Sequence, residues 1–136
     1  MGRIVGLDYG LKKCGLAATD ALQIIVNAIG TIETAELFTF FKNYMKEEDV
    51  EKLVIGLPKH KDGSFTYLKK NIDTFVAKIE KAFPQLEIDF EDERMTSIQA
   101  KEIILQSGIK KSKRRDKTLV DKISAVLILQ RYLGHF

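Results

Sequence analysis

The sequence predicts an α/β fold, a five-stranded mixed sheet flanked by helices. Strands one to three form an antiparallel meander, and strands four and five run parallel to strand one. Two observations carry this. The first three β-rich runs are joined by turns too short for a helix, which makes them hairpin neighbours. The later short apolar runs alternate with stripes of helical period, the pattern of strand–helix crossovers. With no internal repeat and no Pro/Gly/Ser-rich linker, residues 1–136 are expected to form one domain.

Each element has a local reason. Residues 3–8 hold the apolar run Ile4-Val5-Gly6-Leu7, closed by Asp8, and read as a buried strand. Leu11-Lys12-Lys13 is a short basic turn, and residues 14–19 are a second strand of small side chains. Residues 24–32 form a third, rich in β-branched residues. Leu37, Phe38, Phe41, Tyr44 and Met45 then recur at helical spacing, with Thr34 as the expected N-cap. Residues 53–57 are a strand stopped by Pro58, and residues 59–64 a loop. Leu68, Ile72, Phe75, Val76, Ile79 and Phe83 are the stripe of a second helix that ends near Pro84. Leu86, Ile88 and Phe90 alternate as a fifth strand. Thr96 and Gln99 have capping-box spacing and open a helix ending near Gly108; Thr118 and Asp121 open a last one, closed by Gly134.

Composition narrows the function classes. Apolar content of 45% and charged content of 30% are globular values, and the net charge of +3 is mild. One cysteine, Cys14, excludes an intramolecular disulfide and a cysteine-based metal site. No run approaches a membrane span and no signal-peptide pattern is present, so a cytoplasmic domain without a membrane partner is expected.

Right-handed crossovers make the strands after each helix parallel to the first. Ligands of such sheets bind at the carboxyl ends of the strands. Asp8, the loop after Leu57 and the run Glu91-Asp92-Glu93-Arg94 emerge there. Asp121 is followed at helical spacing by Ser124, Ala125, Ile128 and Tyr132, which places it at one end of a core-facing stripe. Carboxylates converging at one edge suit Mg²⁺ or Mn²⁺ and two-metal phosphodiester chemistry. Each acid also has a plainer reading. Asp8-Tyr9-Gly10 is good turn chemistry, Asp121 fits the N3 position of a capping box, and residues 91–93 fit a solvated surface run. Residues 110–117 carry six cations and one anion beside Asp121, which suits phosphate contacts. Lys12-Lys13 and Lys59-His60-Lys61 add cations near the same edge. His135 and Cys14 carry no chemistry on this reading.

Taken in order, these residues resemble the YqgF family of pre-ribosomal-RNA nucleases and Holliday-junction resolvase homologues, over nearly the whole chain. Gly6-Leu7-Asp8-Tyr9-Gly10 with residues 12–20 is similar to the family's first motif. Gly56-Leu57-Pro58 followed by Asp62-Gly63-Ser64 is similar to the second, and residues 92–96 to the third. Residues 117–121 running into Ala125 and Tyr132 are similar to the last. The sequence departs at the basic Lys59-His60-Lys61, near Phe65-Thr66, and at Cys14. The resemblance implies a ribonuclease H-like fold and a metal-dependent endonuclease. Its role would be maturation of the 5′ end of small-subunit ribosomal RNA, alone or beside a ribosomal assembly particle. It implies Asp8, Glu93 and Asp121 as catalytic acids and ligands of Mg²⁺ or Mn²⁺. Lys12, Lys59, Lys61, Arg94, Lys111, Lys113, Arg114 and Arg115 are the expected substrate contacts, in a monomer or weak homodimer. Alternatives are a junction resolvase acting on branched DNA, a non-catalytic RNA-binding assembly factor, and an actin-like phosphotransferase. The last is disfavoured because no second copy of the Asp8-x-Gly10 motif is present.

Overall fold

Alternation along the first strand decides the architecture, because both of its faces must be covered. A computed structural model describes residues 2–57, 66–92 and 117–135, with residues 117–122 described by backbone alone. Its elements are β1 (Arg3–Asp8), β2 (Lys13–Thr19), β3 (Val26–Glu33), a 3₁₀ turn (Thr34–Glu36) and α1 (Leu37–Glu47). They continue with β4 (Val50–Leu57), α2 (Leu68–Ala82), β5 (Glu87–Asp92) and α3 (Lys117–Tyr132). The sheet order is β3-β2-β1-β4-β5. β1–β2 and β2–β3 pair antiparallel, while β1–β4 and β4–β5 pair parallel, as the sequence predicts. The helix expected over 96–108 lies outside the described residues.

Val5, Leu7, Cys14, Leu16, Ala18, Leu53 and Ile55 face one way and pack on Leu37 and Phe41 of α1 and on Ile72, Phe75 and Ile79 of α2. Ile4, Ala17 and Val54 face the other way, against Ala125, Ile128 and Leu129 of α3. By alternation Gly6 and Asp8 share the α3 face with Ile4. α3 lies close over this face. A β-carbon at Gly6 would fall 2.5 Å from Leu129 Cγ and 3.2 Å from the Ala125 carbonyl oxygen. α3 ends in a Schellman cap at Gly134, which has φ +77°. The Gly134 N–H donates to Arg131 O at 3.1 Å and the His135 N–H to Gln130 O at 2.9 Å.

Four local expectations differ. β3 starts at Val26, because residues before it turn around Asp20, whose Oδ1 accepts the N–H groups of Ile24 and Ile25 at 2.7 and 3.0 Å. Thr34 does not cap α1; its hydroxyl donates to Gly10 O at 2.8 Å instead, and a 3₁₀ turn precedes the helix. Phe90 is exposed because β5 is an edge strand. Lys117 is already helical, so Thr118 sits inside α3 and is not its N-cap. No helix among the described residues is long and apolar enough to cross a membrane.

The packing at Gly6 gives a first prediction. Gly6→Ala should cost about 1–3 kcal/mol in urea unfolding, the usual range for overpacking. In a Leu129→Ala background the added cost should be smaller, because the closest clashing atoms are gone. Equal costs in the two backgrounds would mean that α3 does not press on Gly6.

Candidate active site

Asp8 is the last residue of the central strand and is only partly buried. Its lateral neighbours in register are Gly15 on β2 and Gly56 on β4, with Glu91 of β5 beyond. Neither lateral neighbour carries a side chain. On the same face the preceding row is Ala17, Gly6, Val54 and Asp89. The face that α3 covers thus narrows to small residues toward Asp8.

The loop leaving Asp8 is fixed from its other side. Thr34 accounts for two of its tethers, donating its N–H to Lys12 O at 2.8 Å and its hydroxyl to Gly10 O. Cys14 Sγ lies 3.4 Å from the Thr34 hydroxyl and within the same network, which accounts for a buried thiol without any reactive role. A β-carbon on Gly10 would fall 2.2 Å from Lys13 O, so the turn closes only with glycine there. Tyr9 packs its ring 6.1 Å from Phe75 of α2, and burial raises its hydroxyl above its ordinary pKa. Lys12, one of the expected substrate contacts, is exposed on this held loop.

Asp121 is placed by backbone alone, in the second turn of α3 and one helical turn before Ala125, whose carbonyl lies over Gly6. Ser124, one turn from Asp121, is fully buried with a hydroxyl that has no hydrogen-bond partner among the described residues. The run 91–93 divides by face. Asp89 and Glu91 point toward α3, meeting Tyr132 and Arg131, whereas Ile88 packs on the α1/α2 side and Asp92 shares its parity. Glu93, Arg94, Lys59, Lys61, Lys111, Lys113, Arg114 and Arg115 lie outside the described residues. Among the described residues no three His, Cys, Asp or Glu side chains gather to hold a metal.

Sequence reading missed the group that anchors the far end of α3. Lys52 Nζ donates to Tyr132 OH at 2.7 Å, and Tyr132 OH donates to Asp89 Oδ2 at 2.7 Å. Lys52 also lies 5.0 Å from the Tyr132 ring centroid and 3.7 Å from Glu87 Oε1. Arg131 Nε stands 4.0 Å from Glu91 Oε1. The Tyr132 hydroxyl, then the Phe90 N–H, hold Asp89 below its ordinary pKa, and the Tyr132 bond raises Lys52. Desolvation raises Tyr132 itself. The only sequence signal was a polar aromatic on the apolar stripe of the last helix, since buried tyrosine hydroxyls take partners.

Tyr132→Phe should lower stability by about 1–2 kcal/mol, the cost of leaving Lys52 and Asp89 without their shared partner. The sign of the pH dependence follows from the shifts. Asp89 is depressed, so its share is complete above its ordinary 3.8 and lost as pH falls below it. Lys52 and Tyr132 are raised, so theirs is complete below about 10 and lost above. The wild-type minus Y132F difference in unfolding free energy should therefore be flat between those limits and shrink outside them. A difference that stays constant into acid would show that Asp89 takes no part.

A family model described as "RuvX: Holliday junction resolvase" matches residues 2–135. A relative from Bacteroides fragilis named "putative pre-16S rRNA nuclease" is 46% identical over 133 residues, covering 98% of this chain and 96% of its own length. Among solved structures, the fowlpox virus Holliday junction resolvase superposes with a TM-score of 0.57 at 12% identity, covering 98% of this chain and 99% of that one. The complex of T. thermophilus RuvC with a Holliday junction substrate gives 0.50 at 15% identity, covering 98% and 97%. At these identities the two structures show the shared fold, the ribonuclease H-like arrangement of a mixed sheet with flanking helices.

Proposed function

The chain belongs to the RuvX family, and from that membership we propose that it is a metal-dependent endonuclease that matures the 5′ end of small-subunit ribosomal RNA in the cytoplasm. The observation that carries the reading is the setting of Asp8. It is a carboxylate ending a buried central strand, with glycines on both flanking strands, on the face that α3 covers. A carboxylate held there can serve as an oxygen donor, and an oxygen donor set suits Mg²⁺ or Mn²⁺. Two further acids complete the proposed set. Glu93 is taken from the resemblance of residues 92–96 to the family's third motif, and Asp92, which shares the parity of Ile88, is left out of the set. Asp121 follows from its place one turn before the contact at Gly6.

The donor set fits the group. Asp8 contributes a rigid carboxylate, because β1 is paired on both sides and its exit loop is tied by Thr34. The Ser124 hydroxyl adds a buried polar atom on that helix, without a partner among the described residues. A divalent cation held by these acids would supply an activated water and charge neutralisation at the phosphodiester. The protein's own part is to hold the acids in place, and to bring the strand in through cations. Lys12 lies on the loop that leaves Asp8, and with Lys59, Lys61, Arg94, Lys111, Lys113, Arg114 and Arg115 supplies phosphate contacts on this reading.

The test uses purified protein with labelled 16S precursor and, in parallel, a four-way DNA junction. Asp8→Asn, Glu93→Gln and Asp121→Asn should each slow cutting about a thousandfold or more, on the scale of lost transition-state electrostatics. Asp92→Asn should stay within about tenfold. Chelation should stop the reaction and Mn²⁺ should restore it. Undiminished cutting by D8N would overturn the assignment, and cutting confined to the junction would shift the substrate to branched DNA.

Neutralising Lys111, Lys113, Arg114 and Arg115 together should weaken binding with Asp8 intact. It should also lower the slope of log affinity against log salt by about 3, the value for four phosphate contacts on a single strand. An unchanged slope would place the substrate strand elsewhere.

A further inference from the structure

The outer edge of the sheet at β3 has a composition found nowhere else in the chain. Residues 21–32 hold no charged side chain, in a sequence that is 30% charged. Large aliphatic side chains are exposed along it, with Leu22 64%, Ile24 61%, Ile25 59% and Ile29 38% accessible. The turn that presents them is rigid. Asp20 accepts the N–H groups of Ile24 and Ile25, and Gln23, at φ +61°, donates its side-chain amide to Gly2 O at 2.8 Å and to Glu51. A strained residue held by specific bonds is a fixed surface, so docking on it costs little ordering entropy.

Exposed sheet edges are ordinarily guarded by charge. The opposite edge obeys this, since β5 carries Glu87, Asp89, Glu91 and Asp92 within six residues. β3 carries none before Glu33 and is guarded only by the bulge at Ile29, where the pairing shifts between Leu16 and Ala17. We propose that the β3 edge is an interface with a second copy of this chain, the two β3 strands meeting antiparallel about a twofold axis near Asn27. A twofold contact sets a patch against itself, so any charge near its centre meets its like. A charge-free window is what such a contact needs, and this one is centred on the axis. In that register residues 26–28 of the two copies pair, and Ile25, where the turn ends, comes against Ile29 of the other copy.

The arrangement has a consequence for the nuclease site. β3 runs parallel to β1, so an antiparallel β3 pair turns the two β1 strands opposite ways. The two Asp8 edges then point to opposite ends of a ten-stranded sheet. The β1 strands are five strand spacings, about 24 Å, apart across it.

Association is read without substrate, so it stands or falls apart from the nuclease assignment. Sedimentation velocity from low-micromolar to submillimolar protein should show a monomer converting to dimer. The folded variant Ile25→Lys with Ile29→Lys, checked by circular dichroism, should stay monomeric throughout. Asn27→Cys should give a disulfide-linked dimer under mild oxidation, since Cys14 is buried, and should not do so when combined with the lysine pair. Wild-type protein that remains monomeric at every concentration, or a dimer undiminished in the folded lysine variant, overturns the proposal.

Discussion

The close approach of α3 to the middle of β1 is the constraint on which the rest of the structure depends. Gly6 leaves room for Leu129 and for the Ala125 carbonyl, and any β-carbon there would push the helix outward. A helix can lie this near a sheet only over small residues, and Ala17 and Gly6 provide them side by side. The same row ends, one step further along the strands, in Gly15, Asp8 and Gly56. The surface that admits the helix is therefore continuous with the surface that frames the carboxylate. Two anchors fix α3 on it, the apolar contact at Gly6 and the Lys52–Tyr132–Asp89 chain at its far end. A rod held at two points has its remaining end determined, and that end carries Asp121.

The two faces of the sheet divide the work. The α1/α2 face holds the bulky residues, with Leu7, Leu16, Leu53, Ile55, Phe41 and Ile79 all fully buried. Burial of side chains of this size stabilises by roughly 1.5–3 kcal/mol each, so this face supplies most of the hydrophobic stabilisation. The α3 face is thinner and mixed, with Asp89, Lys52 and Ser124 beside the apolar residues. Polar groups on a face of that kind are tolerable because the opposite face already secures the fold.

The elements that could be read from the sequence were those set by local pattern. The period-two runs, the stripe of α2 and the glycine cap of α3 depend on neighbours a few residues away. What could not be read depends on partners far along the chain. Thr34 sits where an N-cap belongs, yet its hydroxyl goes to Gly10, 24 residues earlier. Tyr132 follows Asp121 on the helical stripe, and its hydroxyl meets residues 80 and 43 positions away. Of Glu91, Asp92 and Glu93, only Asp92 is set apart by alternation. Ile88 marks the face toward the main core, and counting by two from it sends Asp92 to that side. Asp8 stood out because a charge ending an apolar run is costly in any fold. Its glycine neighbours were hidden, since which strands flank β1 follows only from the sheet order.

Charge is distributed so that binding and chemistry place opposite demands on neighbouring parts of the chain. The six cations and one anion of residues 110–117 exceed the net +3 of the whole protein, so the remainder is net negative. A carboxylate cluster alone repels a phosphodiester, and a cation can offset that only at contact range, because screening reduces longer interactions within about 8–10 Å. In the proposed nuclease the attraction that brings nucleic acid to the edge must therefore come from side chains outside the acidic set. In the proposed nuclease the basic run precedes α3 directly in sequence, so a strand captured by it would be brought toward the helix that bears Asp121. Separating the attracting charge from the reacting acids lets each be tuned alone. Salt would weaken capture of the strand while leaving the geometry around Asp8, fixed by Thr34, Gly10 and α3, unchanged.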